Sequence, residues 1–321
     1  MKTNAVVFEQ PERLSIRRLN LCEAAVDDVV VDVHHSGISA GTEKLLWTGR
    51  MPQFPGMGYP LVPGYESVGV VAHAGDRSGH RVGDHVFVPG ARCYGEVRGL
   101  FGGASSRVVI PGDKALNIDP ALGDEGVLLA LAATAYHAVA AAMSGTTPRE
   151  AITAPELIVG HGVLGRLIAR MTVAAGFAPP TVWEVNPLRV SGATGYPVVH
   201  PDDDPRRDYR SIYDVSGDAS LLDCLIARLA KGGEVVLAGF YTDRLAFDFA
   251  PAFMREAQIR TAAEWQRPDL LAVKELVETG RVSLAGLITH RENAECATDA
   301  YPTAFNDATC LKMILDWRAC S

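Results

Sequence analysis

Residues 156–165 read ELIVGHGVLG, and this stretch decides the fold of the second half of the chain. A short apolar run ends in three glycines spaced as G-x-G-x-x-G, Gly160, Gly162 and Gly165, and a helical pattern follows over residues 163–175. Between a strand and a helix, the first glycine permits a tight turn, the second lets a pyrophosphate approach the backbone, and the third lets helix and strand pack. The stretch predicts a dinucleotide-binding loop, and the alternative is a glycine turn without a ligand.

The pattern on the C-terminal side of this loop alternates between strands and helices. Apolar runs over residues 181–183, 211–215 and 234–239 predict strands, and residues 221–230 predict a helix. Such alternation is typical of a parallel sheet with crossover helices. We therefore expect a doubly wound, Rossmann-type domain over residues 125–265.

Glu184 ends the strand that follows the glycine loop, about twenty residues beyond it. A carboxylate at this point accepts hydrogen bonds from both ribose hydroxyls and repels a 2′-phosphate, so the sequence favours NAD over NADP. Arg189 is close enough in sequence to tolerate a 2′-phosphate, which keeps NADP as an alternative; a solvated strand-end charge is the alternative for Glu184 itself. The other candidate cofactor residues, in the loop and at later strand ends, are Val163, Leu164, Ser216, Ala238 and Gly239.

The composition indicates a globular chain of two domains. Its 321 residues are 48% hydrophobic and 21% charged, which fits folded domains of ordinary size. With 38 acidic against 30 basic residues the net charge is −8, which disfavours a nucleic-acid partner. The 6 cysteines are scattered, which favours a reduced cytoplasmic compartment over disulfides.

No segment is expected to leave the cytoplasm or to cross a membrane. Residues 1–9 reach an acidic residue before any long apolar run, so they predict a first strand rather than a signal peptide. Residues 126–143 carry no formal charge, but they are mostly alanine and contain Thr134, Tyr136 and His137. Because alanine contributes little transfer energy, we expect a buried helix rather than a membrane span.

Residues 1–124 have the pattern of a β-rich unit. Valine-rich runs at residues 29–33, 68–71 and 81–88 alternate with turns that contain glycine and proline. This pattern predicts short strands in a compact, barrel-like arrangement. The chain beyond residue 265 is expected to return to this unit.

Three further motifs carry a resemblance to a known family. Residues 36–43 read SGISAGTE, residues 63–69 read PGYESVG, and residues 133–138 read ATAYHA. Together with the domain order they resemble the medium-chain dehydrogenase/reductase family, which includes the zinc alcohol dehydrogenases. The resemblance implies an α/β fold with two domains: a GroES-like β-barrel catalytic domain of residues 1–124 and 266–321, and a Rossmann doubly wound parallel-sheet domain of residues 125–265.

The chain departs from that family at the positions that would bind zinc. Ala40 and Tyr65 stand where the family has a cysteine and a histidine, and Ala130 stands at the last cysteine, which leaves Glu66 of the usual set. One carboxylate does not make a tetrahedral zinc site. The family's structural-zinc lobe with four close cysteines is also missing, since Cys93 stands alone. We predict no metal.

A narrower resemblance is carried by residues 39–44, by residues 182–187 and by the ending CLKMILDWR at residues 310–318. These motifs resemble the branch of the family that serves bacteriochlorophyll synthesis. They imply NAD as the cofactor, a tetrapyrrole as the small-molecule substrate, and oxidation of its 3-(1-hydroxyethyl) group to 3-acetyl without zinc. Family analogy implies a homodimer or homotetramer, and the apolar substrate suggests loose association with the photosynthetic membrane.

Two other functions remain open from the sequence. A zinc-free quinone or enone reductase has the same fold and reduces an activated C=C bond. A non-catalytic pigment carrier would keep the glycines for stability alone and would bind no NAD. The intact set of three glycines and an acidic strand end weighs against the carrier.

The candidate catalytic residues lie where the family has its metal. Tyr65 replaces a ligand that faces the reacting oxygen, so the resemblance implies a hydroxyl-contacting acid or base, with an aromatic cavity filler as the alternative. Thr42 matches the family's proton-relay hydroxyl. Glu66 is a third candidate, with the alternative of anchoring an arginine near the cofactor. Thr134 matches the position that packs against the nicotinamide, and its alternative is an ordinary helix hydroxyl.

A large planar pigment needs a wide apolar pocket. Residues 45–59 form a loop broken by glycine and proline and rich in methionine and aromatic residues, which suits such a ligand or else packs on its own domain. Lys44 is a candidate partner for a propionate carboxylate, and its alternative is a solvated surface charge. The candidate pocket residues are Lys44, Trp47, Met51, Phe54, Tyr59 and His137, the last with the alternative of a buried structural histidine.

Overall fold

The computed structural model describes residues 1–143 and 154–320. The strands are β1 (Lys2–Gln10), β2 (Arg13–Asn20), β3 (Asp28–Ile38), β4 (Leu61–Val62), β5 (Ser67–Ala74), β6 (His85–Val88), β7 (Arg98–Gly99), β8 (Arg107–Pro111), β9 (Leu116–Asn117), β10 (Leu157–Val159), β11 (Thr181–Trp183), β12 (Val198–Val199), β13 (Tyr209–Asp214), β14 (Leu229–Leu237), β15 (Gln258–Thr261), β16 (His290–Asn293) and β17 (Met313–Asp316). The α-helices are α1 (Thr42–Trp47), α2 (Leu129–Met143), α3 (Val163–Ala174), α4 (Leu222–Arg228), α5 (Phe249–Arg255), α6 (Arg267–Glu278) and α7 (Ala297–Asn306). Short 3₁₀ helices lie at Gly112–Lys114, Pro120–Leu128, Pro187–Arg189, Pro201–Asp203, Ala219–Leu221 and Ala294–Cys296.

The chain divides into two compact units. The first comprises Met1–Ala130 with Ala285–Ser321, and the second comprises Leu131–Leu284. Both boundaries lie later in the chain than residues 124 and 265, where the sequence analysis places them. Helix α6 belongs to the second unit and not to the C-terminal return. In its first turn, Asp269 lies 2.8 Å from Nδ1 of His137 in α2, which belongs to the same unit.

The second unit contains a six-stranded sheet in the order β12-β11-β10-β13-β14-β15, and every pair of neighbours is parallel. The chain starts in the middle at β10, winds outward through β11 and β12, and then continues on the other side from β13. Strands that are apolar throughout, such as the fully buried β10, are typical of a sheet covered on both faces. The expected doubly wound parallel sheet is confirmed. In sheets of this kind, ligands bind at the carboxyl ends of the strands.

The first unit is built from two sheets. One has the order β2-β1-β4-β7, and the other has the order β16-β17-β3-β5-β6-β9, with β8 also paired to β3. Valines 29, 30, 31 and 33 of β3 are at most 2% exposed, as expected for β-branched residues in a central strand. Strand β17 pairs with β3, so the C-terminal segment completes this sheet.

An aromatic group packs the helices of the first unit onto β1. Phe8 of β1 lies 5.5 Å from Trp47 of α1 and 5.2 Å from Tyr301 of α7 between ring centroids, both edge to face. Tyr301 in turn lies 5.8 Å from Phe305. Such pairs add to the burial energy of the rings, and here they fix α1 beside α7.

Some predicted elements differ in extent from the structure. The helix predicted at residues 221–230 is shorter, and β14 begins at Leu229, before the predicted start at residue 234. The reason is a bulge, because pairing with β13 shifts register between Tyr209 and Ser211 and Gly232 has φ +75°. Helix α2 also begins only at Leu129, after a 3₁₀ helix.

Within the described residues, no helix has both the length and the apolar character that a membrane span requires.

Candidate functional site

The glycine loop joins β10 to α3 in the second unit. Gly160 has φ +106°, a conformation that favours glycine. A methyl group at Gly165 would lie 2.0 Å from the carbonyl oxygen of Gly160, whereas a methyl group at Gly162 would meet nothing within 4 Å. The loop therefore offers a turn, an open backbone position and a close helix–strand contact, which is the geometry of a pyrophosphate site at a helix N-terminus.

Glu184 lies directly after β11 at the same edge of the sheet. Its carboxylate oxygens accept hydrogen bonds from the backbone amides of His161 at 3.1 Å and Asn186 at 2.8 Å. Each oxygen keeps further lone pairs for a ligand. Arg189 follows shortly after Glu184 in the sequence and is half-buried. Its carbonyl oxygen accepts a hydrogen bond from His161 Nδ1 at 2.7 Å. The structure thus brings both candidate ribose residues to the glycine loop.

Asp214 ties the ends of β13 and β14 together. Its carbonyl oxygen accepts hydrogen bonds from the amides of Ala238 at 2.9 Å and Gly239 at 3.0 Å, and its carboxylate accepts one from the amide of Ser216 at 2.9 Å. Burial raises the pKa of Asp214. A methyl group at Gly160 would lie 3.5 Å from the backbone of Ser216. The candidate residues Ser216, Ala238 and Gly239 therefore lie together beside the glycine loop.

Helix α2 carries Thr134 and His137, both half-buried. The Nδ1 atom of His137 lies 2.8 Å from the Asp269 carboxylate. That carboxylate also accepts a hydrogen bond from the amide of Gln266 at 2.7 Å, which caps α6. His137 therefore has a structural contact within the second unit, whereas the other five candidate pocket residues belong to the first unit.

Tyr65 lies at the centre of a hydroxyl cluster in the first unit. Its phenol oxygen lies 2.7 Å from Ser39 Oγ and 3.3 Å from Thr42 Oγ1, and its ring packs edge to face on Phe101. Burial and the carboxylate of Glu66 raise the pKa of Tyr65 well above its ordinary value. Tyr65 is therefore a neutral phenol at neutral pH, suited to donating and accepting hydrogen bonds and not to acting as a standing phenolate.

Glu66 is fully buried and pairs with Lys312, which is 2% exposed. The ammonium of Lys312 lies 2.6 Å from Glu66 Oε2 and 3.2 Å from the carbonyl oxygen of Ile38. Within the described residues, Glu66 Oε1 has no hydrogen-bond partner. The cation that Glu66 anchors is thus a lysine from the C-terminal segment and not the arginine considered from the sequence.

A second carboxyl group, that of Glu43, lies buried next to Ser39. It accepts hydrogen bonds from the Ser39 amide at 3.1 Å and from the Tyr301 hydroxyl at 3.0 Å. Burial, together with the negative charge of Glu66, raises the pKa of Glu43 to about 8. Glu43 is therefore mostly protonated at neutral pH, which avoids a second buried negative charge in this region.

The side chains at the family's metal position do not fit a catalytic zinc. Ala40 and Ala130 offer no donor atom, Tyr65 binds Ser39 and Thr42 as a neutral phenol, and Glu66 is paired with Lys312. In residues 1–143 and 154–320 no group of three or more His, Cys, Asp or Glu side chains could hold a metal ion. A tetrahedral zinc needs at least three protein ligands, so this set of side chains does not make a zinc site.

The apolar candidate pocket residues differ in exposure. Trp47 packs edge to face on Phe8, and Met51 is 6% exposed within the core of the first unit. Phe54 is 37% exposed. Of these three side chains, Phe54 is therefore the one most open to a ligand.

The two polar pocket candidates are engaged within the first unit. The hydroxyl of Tyr59 donates to the carbonyl oxygen of Leu46. The ammonium of Lys44 donates to the carbonyl oxygen of Phe305 at 2.8 Å. This bond holds α1 against the end of α7 and reduces the freedom of Lys44 to meet a substrate carboxylate.

Sequence reasoning missed three residues of the first unit, namely Ser39, Glu43 and Lys312. Ser39 and Glu43 stand in a loop that resembles the family's, yet nothing local shows that Glu43 is buried. Lys312 offers the clearest signal, because a lone lysine inside the apolar run CLKMIL indicates a buried cation that needs a partner.

Comparisons with known proteins agree with this geometry. The model of the alcohol dehydrogenase GroES-like domain matches residues 25–120. The 2-desacetyl-2-hydroxyethyl bacteriochlorophyllide A dehydrogenases of Cereibacter sphaeroides and Rhodobacter capsulatus are 57% and 56% identical to the chain, over 99% of this chain and 99% of each relative. Among solved structures, an alcohol dehydrogenase from Escherichia coli CFT073 complexed with NADH has a TM-score of 0.81 at 20% identity, covering 98% of this chain and 99% of that one.

Identity of this size along the whole length shows the family. The chain belongs to the medium-chain dehydrogenase/reductase family. It is an enzyme of the alcohol dehydrogenase type.

Proposed function

We propose that the protein oxidises the 3-(1-hydroxyethyl) group of bacteriochlorophyllide a, or of a related chlorin, to 3-acetyl, with NAD and without zinc. The observation that carries the proposal is the 57% identity over 99% of both chains with a relative named as a hydroxyethyl bacteriochlorophyllide dehydrogenase. Loss of the metal donors at Ala40 and Ala130 supports the zinc-free part. We also propose a cytoplasmic homodimer or homotetramer in loose contact with the photosynthetic membrane.

The second unit has the residues to hold NAD. The open backbone at Gly162 and the first turn of α3 suit the pyrophosphate, since N-terminal amide groups of a helix favour an anion. Glu184 suits the adenosine ribose and, as a carboxylate, repels a 2′-phosphate. A bound nicotinamide supplies the acceptor for the hydride. Further contacts are assigned to Thr134, Gly160, Val163, Leu164, Gly165, Arg189, Ser216, Ala238 and Gly239.

In the first unit, Tyr65 is proposed to bind the hydroxyl oxygen of the substrate. Its own hydrogen is directed to Ser39 at 2.7 Å, so an oxygen lone pair is left to accept a hydrogen bond from the substrate hydroxyl. As the carbinol carbon loses its hydride, the hydroxyl proton moves to Tyr65 Oη, and the phenol proton moves on to Ser39 Oγ or Thr42 Oγ1. The hydroxyl that receives it releases its own proton to solvent water, so no group in the relay is left with an extra proton. General catalysis of this kind contributes a factor of about 10² to 10⁴.

The substrate itself lowers the demand on the protein. A carbinol attached to a conjugated macrocycle shares developing positive charge with the ring as the hydride leaves. The reaction then needs less alkoxide character than an isolated alcohol, which zinc normally stabilises. The buried pair of Glu66 and Lys312 is assigned the task of keeping the segment that carries Tyr65 in place, and the loop with Trp47, Met51, Phe54 and Tyr59 is assigned to the pocket wall.

The test is a two-band spectroscopic assay. Purified protein is mixed with NAD and 3-(1-hydroxyethyl) bacteriochlorophyllide a, and the red band of the pigment is recorded together with the near-ultraviolet band of reduced nicotinamide. The proposal predicts that both bands change together, because the acetyl product extends the conjugation. No change in either band while NAD still binds would refute the pigment assignment, and turnover of quinones or enones would then identify the alternative reductase.

A further inference from the structure

A buried arginine lies one residue after the third glycine of the loop. Arg166 is 3% exposed. Its guanidinium donates from Nε to the carbonyl oxygen of His161 at 2.9 Å, and from Nη2 to the carbonyl oxygens of Arg189 and Ser191 at 2.8 Å each. All three acceptors are backbone groups, so the rigid fork of donors holds the chain itself.

The acceptors belong to two different segments. His161 lies in the glycine loop, whereas Arg189 and Ser191 lie in residues 186–192. We call residues 186–192 the ribose segment, because they come shortly after Glu184. One buried side chain therefore joins the pyrophosphate side of the proposed nucleotide site to its ribose side.

The ribose segment is held by its backbone and not by apolar packing. Leu188 and Val190 are 61% and 40% exposed. Gly192 has φ +83°, and a methyl group there would lie 2.5 Å from Nη1 of Arg166. Glycine at this position therefore leaves the room that the guanidinium occupies.

His161 completes the arrangement. Its Nδ1 atom lies 2.7 Å from the carbonyl oxygen of Arg189 and carries the hydrogen, since a carbonyl only accepts; its Nε2 atom then accepts from the Tyr196 hydroxyl at 3.0 Å. Burial lowers the pKa of His161 to about 4, so the ring is neutral at neutral pH. A second positive charge next to Arg166 is thereby avoided.

We propose that Arg166 is a positioning residue for cofactor choice, because it fixes the ribose segment so that Glu184 stays at the ribose and a 2′-phosphate is rejected. The inference rests on the proposed NAD site. With the guanidinium in place, the Arg189 carbonyl is turned inward and the Glu184 carboxylate sits between two backbone amides. Without it, the segment is free to shift, Glu184 leaves its position, and the Arg189 side chain is able to meet a 2′-phosphate.

The test compares Arg166→Leu with Arg228→Leu by calorimetric titration of NAD and of NADP into the nucleotide-free protein. Arg228 is a matched control in the same unit: it is 8% exposed and donates to the carbonyl oxygens of Asp204 at 2.6 Å and Pro201 at 3.1 Å, outside the ribose segment. Arg166→Leu is expected to lower the ratio of the Kd for NADP to the Kd for NAD by about tenfold, which means a weaker preference for NAD. Arg228→Leu is expected to leave that ratio unchanged.

A conservative variant and a measurement on the wild type keep the proposal testable. Arg166→Lys retains a buried cation but loses the fork, so an intermediate ratio is expected. A wild-type ratio in either folded Arg166 variant, or an equal shift in Arg228→Leu, overturns the positioning role. If neither Arg166 variant folds, amide hydrogen exchange of residues 186–192 in the wild type decides: slow exchange supports the proposal, and exchange at the rate of an open loop overturns it.

Two outcomes separate this inference from the proposed function. A wild-type protein that binds neither nucleotide, or that prefers NADP, refutes the proposed NAD site. A wild-type preference for NAD that survives in folded Arg166→Leu refutes the role of Arg166 alone.

Discussion

Tyr65 combines two hydroxyl neighbours with a pKa raised by burial and by Glu66. A group with these properties orients an oxygen and transfers a proton in concert, because it bears no charge of its own before the reaction. Ser39 at 2.7 Å is a better acceptor for its proton than Thr42 at 3.3 Å. Ser39, the residue before Ala40, is therefore the proposed acceptor of the Tyr65 proton.

Replacing Tyr65 with phenylalanine tests this role. Tyr65→Phe is expected to lower kcat by a factor of about 10² to 10⁴ and to leave NAD affinity unchanged, because it removes one oxygen and keeps the ring. Steady-state rates and NAD titration measure the two quantities. Tyr94→Phe is the matched control, since the Tyr94 hydroxyl also binds a serine, Ser105, at 2.8 Å. Equal rates in the two variants would contradict the assignment.

The raised pKa of Glu43 makes the free energy of unfolding depend on pH. Its pKa is about 8 in the folded protein and 4.5 ordinarily, so between these values the folded chain keeps a proton that the unfolded chain releases. Stability from this group is therefore full below about pH 4.5 and is lost as the pH rises toward 8. Glu43→Gln is expected to remove that loss, on the order of 3 kcal/mol in the free energy of unfolding at pH 8 relative to pH 5.

Urea unfolding at a series of pH values between 5 and 8 measures this difference. Glu96→Gln, at an exposed position, serves as the control and is expected to keep the wild-type slope. An unchanged slope in Glu43→Gln would show that Glu43 is ionised in the folded protein.

The junction of β10 and α3 combines a close helix–strand contact with the open backbone position of the proposed pyrophosphate site. At Gly165 the backbone of the strand end passes so close to the helix that no side chain fits, whereas at Gly162 the space is open. Glycine suits the two positions for different reasons. At Gly165 a side chain would clash with the protein, and at Gly162 it would fill space that is proposed for the pyrophosphate. Alanine at each position should therefore affect different properties.

Gly165→Ala is expected to lower the free energy of unfolding by about 2 kcal/mol or more, because its methyl group would lie 2.0 Å from a backbone oxygen. Gly162→Ala is expected to unfold at the wild-type temperature, since its φ of −74° suits alanine, and to bind NAD about tenfold more weakly. Thermal unfolding without nucleotide and NAD titration separate the two effects. Wild-type affinity in Gly162→Ala would argue against a pyrophosphate at this loop.

Elements with a local pattern were predictable from the sequence, and those that depend on distant partners were not. The start of α3 follows from three glycines and a periodic run, and its observed bounds agree within a residue. The start of β14 depends on a bulge against β13. The pairs Glu66–Lys312 and Glu43–Tyr301 join residues far apart in the chain, and no spacing rule connects such residues before the fold is known.

The C-terminal segment, residues 310–318, is tied into the first unit by side-chain hydrogen bonds. Lys312 reaches Glu66, and the Trp317 indole donates to Ser36 Oγ at 2.8 Å. Glu66 directly follows Tyr65, and Ser36 lies three residues before Ser39 in the chain. Residues 310–318 therefore support the two segments that carry the hydroxyl cluster as well as the sheet. Each unit thus holds one part of the proposed chemistry: the hydroxyl cluster in the first, and the dinucleotide loop in the second.

The independence of the reaction from zinc is tested most directly on metal-stripped protein. The protein is treated with a chelator, its metal content is determined by mass spectrometry, and the rate of the two-band pigment assay with NAD is measured with and without added zinc. The zinc-free mechanism predicts the untreated rate in the stripped protein and no gain from zinc. Loss of activity on stripping, with recovery when zinc is returned, would contradict it.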